Sequence, residues 1–321
     1  GEYILNQEGN SLSLAILQAR ELVSRGSYQR AWQVLNTENL KYEVDPELSY
    51  LKGKIMFESG DITAAGRFLE DASQLGYTGG EIYELLVKVY LTINREEEAT
   101  DLSNTLVSQQ PTAENMSLRA QVLLATGDTL EAKGFFSNSM KADSSIRVNY
   151  LGLERILSAE SDYDRAIAIG EASLKRFERD AEILEGYARI LESAGNYGKA
   201  IRTTDPLLEL QPEDPLLLRW RANLYFKNRQ YDSAVYAASA SLVFQENPET
   251  KMLLARAMER QRLYNNALGV YREVVAADST NEEASAAVRR LEGRQRYLQY
   301  LRQQQDSTRQ QTTDSTAPNS N

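Results

Sequence analysis

The side chains that carry out most enzymatic chemistry are missing from this chain. Its 321 residues include no histidine and no cysteine, which removes the usual zinc ligands, the thiol nucleophile and the commonest general base together. Carboxylates remain, with 46 Asp and Glu against 36 Lys and Arg, yet no acid stands at a fixed spacing from a second acid or a nucleophile. The chemistry left is recognition: arginine forks that meet carboxylates, lysine point charges, and aromatic rings of the kind enriched in binding hot spots. These residue types support a protein without catalysis, cofactor or metal. A net charge of -10 and a pI near 4.9 oppose a nucleic-acid partner, because that affinity comes from cations neutralising phosphates. No window approaches the roughly 18 to 20 apolar residues of a membrane span. The absence of cysteine leaves the compartment open, since cytosolic and exported chains can both lack it.

The elements that must position any recognition surface are helical. Seven prolines and 18 glycines are few for this length, and 42% apolar content allows a real core. The stretch "ESGDITAAGRFLEDA" at 58–72 returns as "SRGSYQRAWQVL" from Ser24, "SAGNYGKAIRTT" from Ser193 and "KNRQYDSAVYAA" from Lys227. Aligning these stretches places Ala31, Ala65, Ala99, Ala132, Ala166, Ala200, Ala234 and Ala267 in one series, with intervals of 33 or 34 residues. That period is the length of a helix-turn-helix unit that stacks on its neighbours.

Twelve residues before each alanine stand Ala19, Gly53, Val87, Ala120, Glu154, Ala188, Ala222 and Ala255. Small residues at both points let the two helices of a hairpin approach closely. Gly26, Gly60, Gly127 and Gly195 close first helices, where a left-handed residue stops the helix. Pro46, Pro215 and Pro248 open first helices, where the missing backbone donor costs nothing. Pro206 falls inside the second helix of unit six and predicts a kink there.

On these residues the chain resembles the tetratricopeptide repeat family over eight units, about residues 12–281. The resemblance implies an all-α, right-handed superhelix whose first helices line a concave groove that binds a peptide or partner protein. Residues 1–11 read as a lead-in. The stretch from Glu282 to about 303 reads as a capping helix, because Ala284, Val288, Leu291, Leu298 and Leu301 keep helical register among arginines. From Gln304 to Asn321 the chain has almost nothing to bury and is expected to be disordered.

Carrying the family's groove register onto this chain points Arg20, Lys54, Lys88, Gln121, Arg155, Arg189, Asn223 and Arg256 into the groove. The functional reading is a ladder of donors for an acidic or C-terminal segment of a partner. The alternative is internal pairing, because Glu84 and Lys88, and Glu185 and Arg189, lie at i,i+4 spacing, and units open with acids such as Glu47, Glu81, Glu114, Glu182 and Glu249. Arg219 and Asn223 match half of the family's carboxylate clamp, but Leu253 stands where its second Asn belongs, so the clamp is incomplete. Trp220, Phe226 and Arg256 read either as a mixed aromatic and cationic pocket or as core. Unit five departs furthest, with Glu154 at the small position, Gly170 where a large apolar residue is usual and Ser173 in place of alanine. Glu154 either pairs with an arginine such as Arg155 or Arg189, or marks an opened repeat, or acts as a catalytic carboxylate.

The expected function is a protein-protein interaction scaffold or adaptor within a multiprotein complex, with a peptide-sensing regulator as the alternative. The chain begins at Gly1 without an initiator methionine, as a processed or truncated product would, and any signal peptide or lipidated cysteine would lie upstream of it. Bacterial lipoproteins of outer-membrane assembly and secretion are similar arrays, which implies a periplasmic, outer-membrane-associated site, with the cytoplasm as the alternative. Membrane association would then come only through an upstream lipid anchor or a partner.

Overall fold

The computed structural model describes the backbone of residues 2–37, 44–79 and 81–315, with side chains within those spans from residue 12 to residue 307. The described residues form eighteen α-helices in tandem and no strand. They fall into two compact units, residues 1–159 and 160–321.

The first unit holds α1 (Glu2–Ser24), α2 (Tyr28–Leu35), α3 (Pro46–Glu58), α4 (Ile62–Gln74), α5 (Glu81–Thr92), α6 (Glu96–Gln109), α7 (Ala113–Thr126), α8 (Thr129–Ala142) and α9 (Arg147–Ala159). Antiparallel pairs form as α1 with α2, α3 with α4, α5 with α6 and α7 with α8, and each odd-numbered helix also packs on the next odd-numbered one. The second unit holds α10 (Tyr163–Arg176), α11 (Ala181–Ser193), α12 (Tyr197–Thr203), α13 (Asp205–Leu210), α14 (Pro215–Lys227), α15 (Tyr231–Phe244), α16 (Pro248–Arg260), α17 (Tyr264–Ala277) and α18 (Glu282–Ser315). Here α11 pairs with α12, α14 with α15, α16 with α17, and α18 closes on α17.

The backbone repeats as the alanines do. A left-handed residue stands five positions before every aligned alanine: Gly26, Gly60, Asn94, Gly127, Ser161, Gly195, Arg229 and Arg262, with φ between 58° and 94°. The expected glycines take this conformation, and four side-chain-bearing residues take it as well. At six of the eight turns the next amide bonds back to the carbonyl five residues earlier, as Asp61 N does to Met56 O at 3.0 Å and Leu263 N to Met258 O at 2.9 Å. This is the Schellman closure, which satisfies carbonyls left over at the helix end.

All eight aligned alanines are fully buried. The small position opposite them is as tight: a Cβ on Gly53 would meet Leu69 Cγ at 2.7 Å and the Leu69 backbone nitrogen at 3.1 Å. Unit five keeps its packing in another way. The space left by Gly170 is filled by the buried Tyr187 of α11, whose Cδ2 would lie 2.2 Å from an added Cβ. Ser173 is buried with its hydroxyl on Gly170 O at 2.9 Å. Glu154 is also buried, at 3% exposure.

Three boundaries differ from the sequence expectation. The predicted kink at Pro206 is a full break into α12 and α13, which raises the count above the seventeen helices that eight hairpins and a cap imply. Proline lacks the donor for Arg202 O and its ring crowds that carbonyl. The break is held by buried Arg221, which donates to Asp205 Oδ1 at 2.6 Å, Thr204 Oγ1 at 3.1 Å and the Tyr225 hydroxyl at 2.8 Å. At the ends, helix extends past both expected limits: α1 takes in most of the lead-in 1–11, and α18 runs through Gln304 to Ser315. Glutamine and arginine are good helix formers, so the cap's helix propagates into a segment with little to bury. Residues 316–321 of the expected tail lie outside the described residues.

Candidate protein-interaction face

The residues singled out as a ladder lie one per first helix, and most of them hold an acid. In the first unit, Arg20 of α1 reaches Glu47 at the start of α3 through Nε at 3.1 Å and through Nη2. Lys54 of α3 reaches Glu81 at the start of α5 at 2.5 Å. Both pairs bridge consecutive first helices at a separation of 27 residues. Lys88 instead turns back on its own helix to Glu84 at 2.7 Å. Gln121 donates to Ser117 O at 3.4 Å, and Arg155 is exposed on α9.

In the second unit, Arg189 grips Glu185 through Nε and Nη2 at 2.9 and 2.7 Å. Arg219 meets Glu249 of α16 at 2.6 Å, and Arg256 meets Glu283 of α18 at 2.7 Å through Nε. Asn223 is half-buried one turn beyond Arg219. The internal pairing read from i,i+4 spacing is present for Lys88 and Arg189. For Arg20, Lys54, Arg219 and Arg256 the acid comes from the next repeat or the cap, 27 or 30 residues on, a pairing that spacing within one helix cannot reveal.

These pairs titrate as their geometry dictates. The Lys54 ammonium and the Tyr50 hydroxyl hold the Glu81 carboxyl below its ordinary value. Bonding to Glu47 and Glu283 raises Arg20 and Arg256 respectively. Arg20, Lys88 and Arg189 stay largely in water, at 59%, 46% and 61% exposure, while Lys54 and Arg219 are half-buried beside exposed acids. Such pairs are worth about 0–1 kcal/mol each, so they are exchangeable.

Trp220, Phe226 and Arg256 each have their own neighbours. Trp220 donates to Glu192 at 2.6 Å and lies 4.7 Å under the Arg189 guanidinium, while Lys227 joins the same Glu192 at 2.7 Å. Phe226 packs edge-on to Tyr231 at 5.6 Å, and Arg256 belongs to the cap through Glu283. The aromatic and cationic cluster in this unit is therefore Arg189, Trp220, Glu192 and Lys227, drawn from α11 and α14. Another feature absent from the sequence reading is the stack of Tyr50 on Tyr77, 4.4 Å apart and 13° from parallel, beside the Lys54 and Glu81 pair.

Part of the chain has counterparts among known sequences. The profile of the tetratricopeptide repeat matches residues 157–224 and again 221–282. Residues 157–282 are tetratricopeptide repeats. No curated protein matches the chain in sequence. Among solved structures, the C-terminal part of a TPR repeat-containing protein from Cytophaga hutchinsonii superposes with a TM-score of 0.59 at 15% identity, covering 74% of this chain and 98% of that one. A tetratricopeptide repeat protein from Parabacteroides merdae gives a TM-score of 0.48 at 17% identity, covering 77% of this chain and 98% of that one. At 15% identity the likeness to the Cytophaga structure is one of fold.

Proposed function

We propose that this protein is a non-catalytic interaction scaffold that holds a segment of a partner protein along the face of its first helices, in a multiprotein complex. The observation that carries the reading is the recurrence of Arg20, Lys54 and Lys88 on α1, α3 and α5, and of Arg189, Arg219 and Arg256 on α11, α14 and α16, each held by an acid in a pair with at least one exposed member. Internal acids keep the cations extended and oriented while nothing bound covers them. A carboxylate of the partner that replaces one exposed acid loses little and gains a bond to a pre-placed cation. An acidic or C-terminal segment is thus the partner chemistry proposed for these rungs. The remaining units, including those before residue 157, are proposed to be repeats of the same family. Membership of a cell-envelope or secretion assembly follows from the resemblance alone and is proposed on that footing.

The test is affinity purification of the full chain from its native host with two sets of substitutions. One set changes Arg20, Lys54, Lys88 and Arg155 to Gln; the other changes Arg189, Arg219 and Arg256 to Gln. At least one set is expected to deplete the captured partner while leaving the helical signal unchanged. Undiminished capture by both would place binding away from the rungs.

A further inference from the structure

Between α5, α7 and the start of α9, within the first unit, lies an open recess of about 730 Å³. Three features of it converge. Its charged lining is Glu81, Glu84 and Glu114, with no cation among the lining residues. Lys54 and Lys88 approach the first two from outside, but Glu114 makes no ion pair among the described residues. The bridging pattern itself stops here: Arg20 reaches forward to Glu47 and Lys54 to Glu81, whereas Lys88 turns back to Glu84. Glu114, at the register of Glu47 and Glu81, is left facing the recess, and Gln121 replaces a cation at the next rung.

The second feature is Ser117. It lines the recess at 1% exposure, and its hydroxyl meets no hydrogen-bond partner among the described residues. Buried hydroxyls are normally satisfied, so an unsatisfied one asks for an explanation. The third is the direction of the amides. Asn115 commits its Nδ2 to Gln110 O at 2.8 Å and Leu106 O at 3.3 Å, leaving its side-chain oxygen as an acceptor. Tyr83, Leu118, Ile146 and Val148 supply the apolar part of the wall.

An acceptor-rich, acidic floor with apolar walls fits a long cationic side chain, whose methylene stem lies on carbon while its head meets carboxylates. We infer that this recess receives a lysine or arginine side chain of the bound partner, with Glu114 as its counter-ion and the unsatisfied Ser117 hydroxyl in the wall behind it. This rests on the reading that the first-helix face binds a partner. It adds a point where that partner must be basic, among rungs that favour acids.

The test places a photo-crosslinking benzoylphenylalanine at Gln110, on the rim, and separately at the rung Arg20, in the full chain in its native host. Crosslinked peptides are released by chymotrypsin, which does not cut at basic residues, and sequenced by mass spectrometry. The expected result is a Gln110 adduct whose partner peptide contains Lys or Arg beside the crosslink. Its yield should fall about tenfold with Glu114→Lys while the Arg20 adduct persists, as expected for one charge-assisted contact. A partner peptide without a basic residue, a yield indifferent to Glu114→Lys, or an Arg20 adduct without any Gln110 adduct overturns the inference. Adducts at neither position would instead overturn the underlying assignment of the first-helix face.

Discussion

Replacing Gly152 by alanine should destabilise the protein, although alanine is the better helix former. Gly152 lies in α9, facing α8, and a Cβ there would stand 2.4 Å from both Cε2 and Cζ of Phe136. Carbon atoms attract at about 3.5–4.0 Å, so the overlap exceeds an ångström. Phe136 is fully buried and cannot swing into solvent. Overpacking of this kind costs about 1–3 kcal/mol, while the gain in helix propensity is about 1 kcal/mol. The sign is therefore decided by a control within the same unit. Gly134, in the interior of α8, has nothing within 4 Å of its virtual Cβ, so Gly134→Ala should stabilise by about 1 kcal/mol. Urea unfolding of the two variants should separate them by the overpacking cost, about 1–3 kcal/mol. Phe136→Leu, which makes room, should rescue part of the Gly152→Ala loss in a double-mutant cycle. If Gly152→Ala stabilised the protein as much as Gly134→Ala, the close approach of α8 and α9 would be wrong.

Four further outcomes follow from the turns, the pairs, the buried tyrosines and the cap. Gly60→Ala meets no steric obstacle, only an unfavourable φ of 85°, so it should cost about 1 kcal/mol, whereas Arg262→Gly, at φ 66°, should stabilise by a similar amount in thermal unfolding. Glu259 is held below its ordinary 4.5 chiefly by its bond to Arg290; a depressed carboxylate contributes stability above the unfolded value that is lost as pH falls through the folded one. The advantage of wild type over Glu259→Gln should thus be constant near neutrality and vanish on acidification below about 4.5. Tyr90 and Tyr271, pushed up to about 12 mainly by burial, act in the opposite sense: their contribution is complete below pH 10 and should be lost as pH rises from 10 towards 12. Deleting residues 304–321 should leave the melting temperature almost unchanged, because residues 304–307 are exposed. Deleting from Glu282 should lower it and promote aggregation, because Ala284, Ala287 and Leu291 cover Leu268, Tyr271 and Val274.

The repeat was legible because its signals are local and periodic. Each aligned alanine and its small partner are needed at one helix crossing, so the crossing recurs in the letters. The turns were half legible: Gly26, Gly60, Gly127 and Gly195 announce a left-handed residue, but Asn94, Ser161, Arg229 and Arg262 adopt the same conformation under the constraint of the hairpins around them. Unit five looked damaged at Gly170, since its repair comes from Tyr187 on another helix. The break at Pro206 was readable from proline chemistry, but its anchor Arg221 lies sixteen residues from Asp205.

The candidate face was legible as a row of cations and a row of acids opening the units, but not as pairs. Which acid each cation takes depends on the stacking of one repeat on the next, and Glu47, Glu81 and Glu283 become partners only in that stack. The recess at Glu114 could not be read at all, because it arises where the bridging lapses. Its one sequence trace is Gln121 in a row of Arg and Lys. The limits of α18 were missed because helix propensity continues past the last residue that packing requires.

The claim that the first helices hold the partner is tested most directly by amide hydrogen exchange on the full chain, with and without its co-purified partner. The account predicts that added protection concentrates on the first helices, α3, α5 and α7 in one unit or α11, α14 and α16 in the other, with α4, α6, α15 and α17 unchanged. Protection confined to those second helices or to α18 would contradict it.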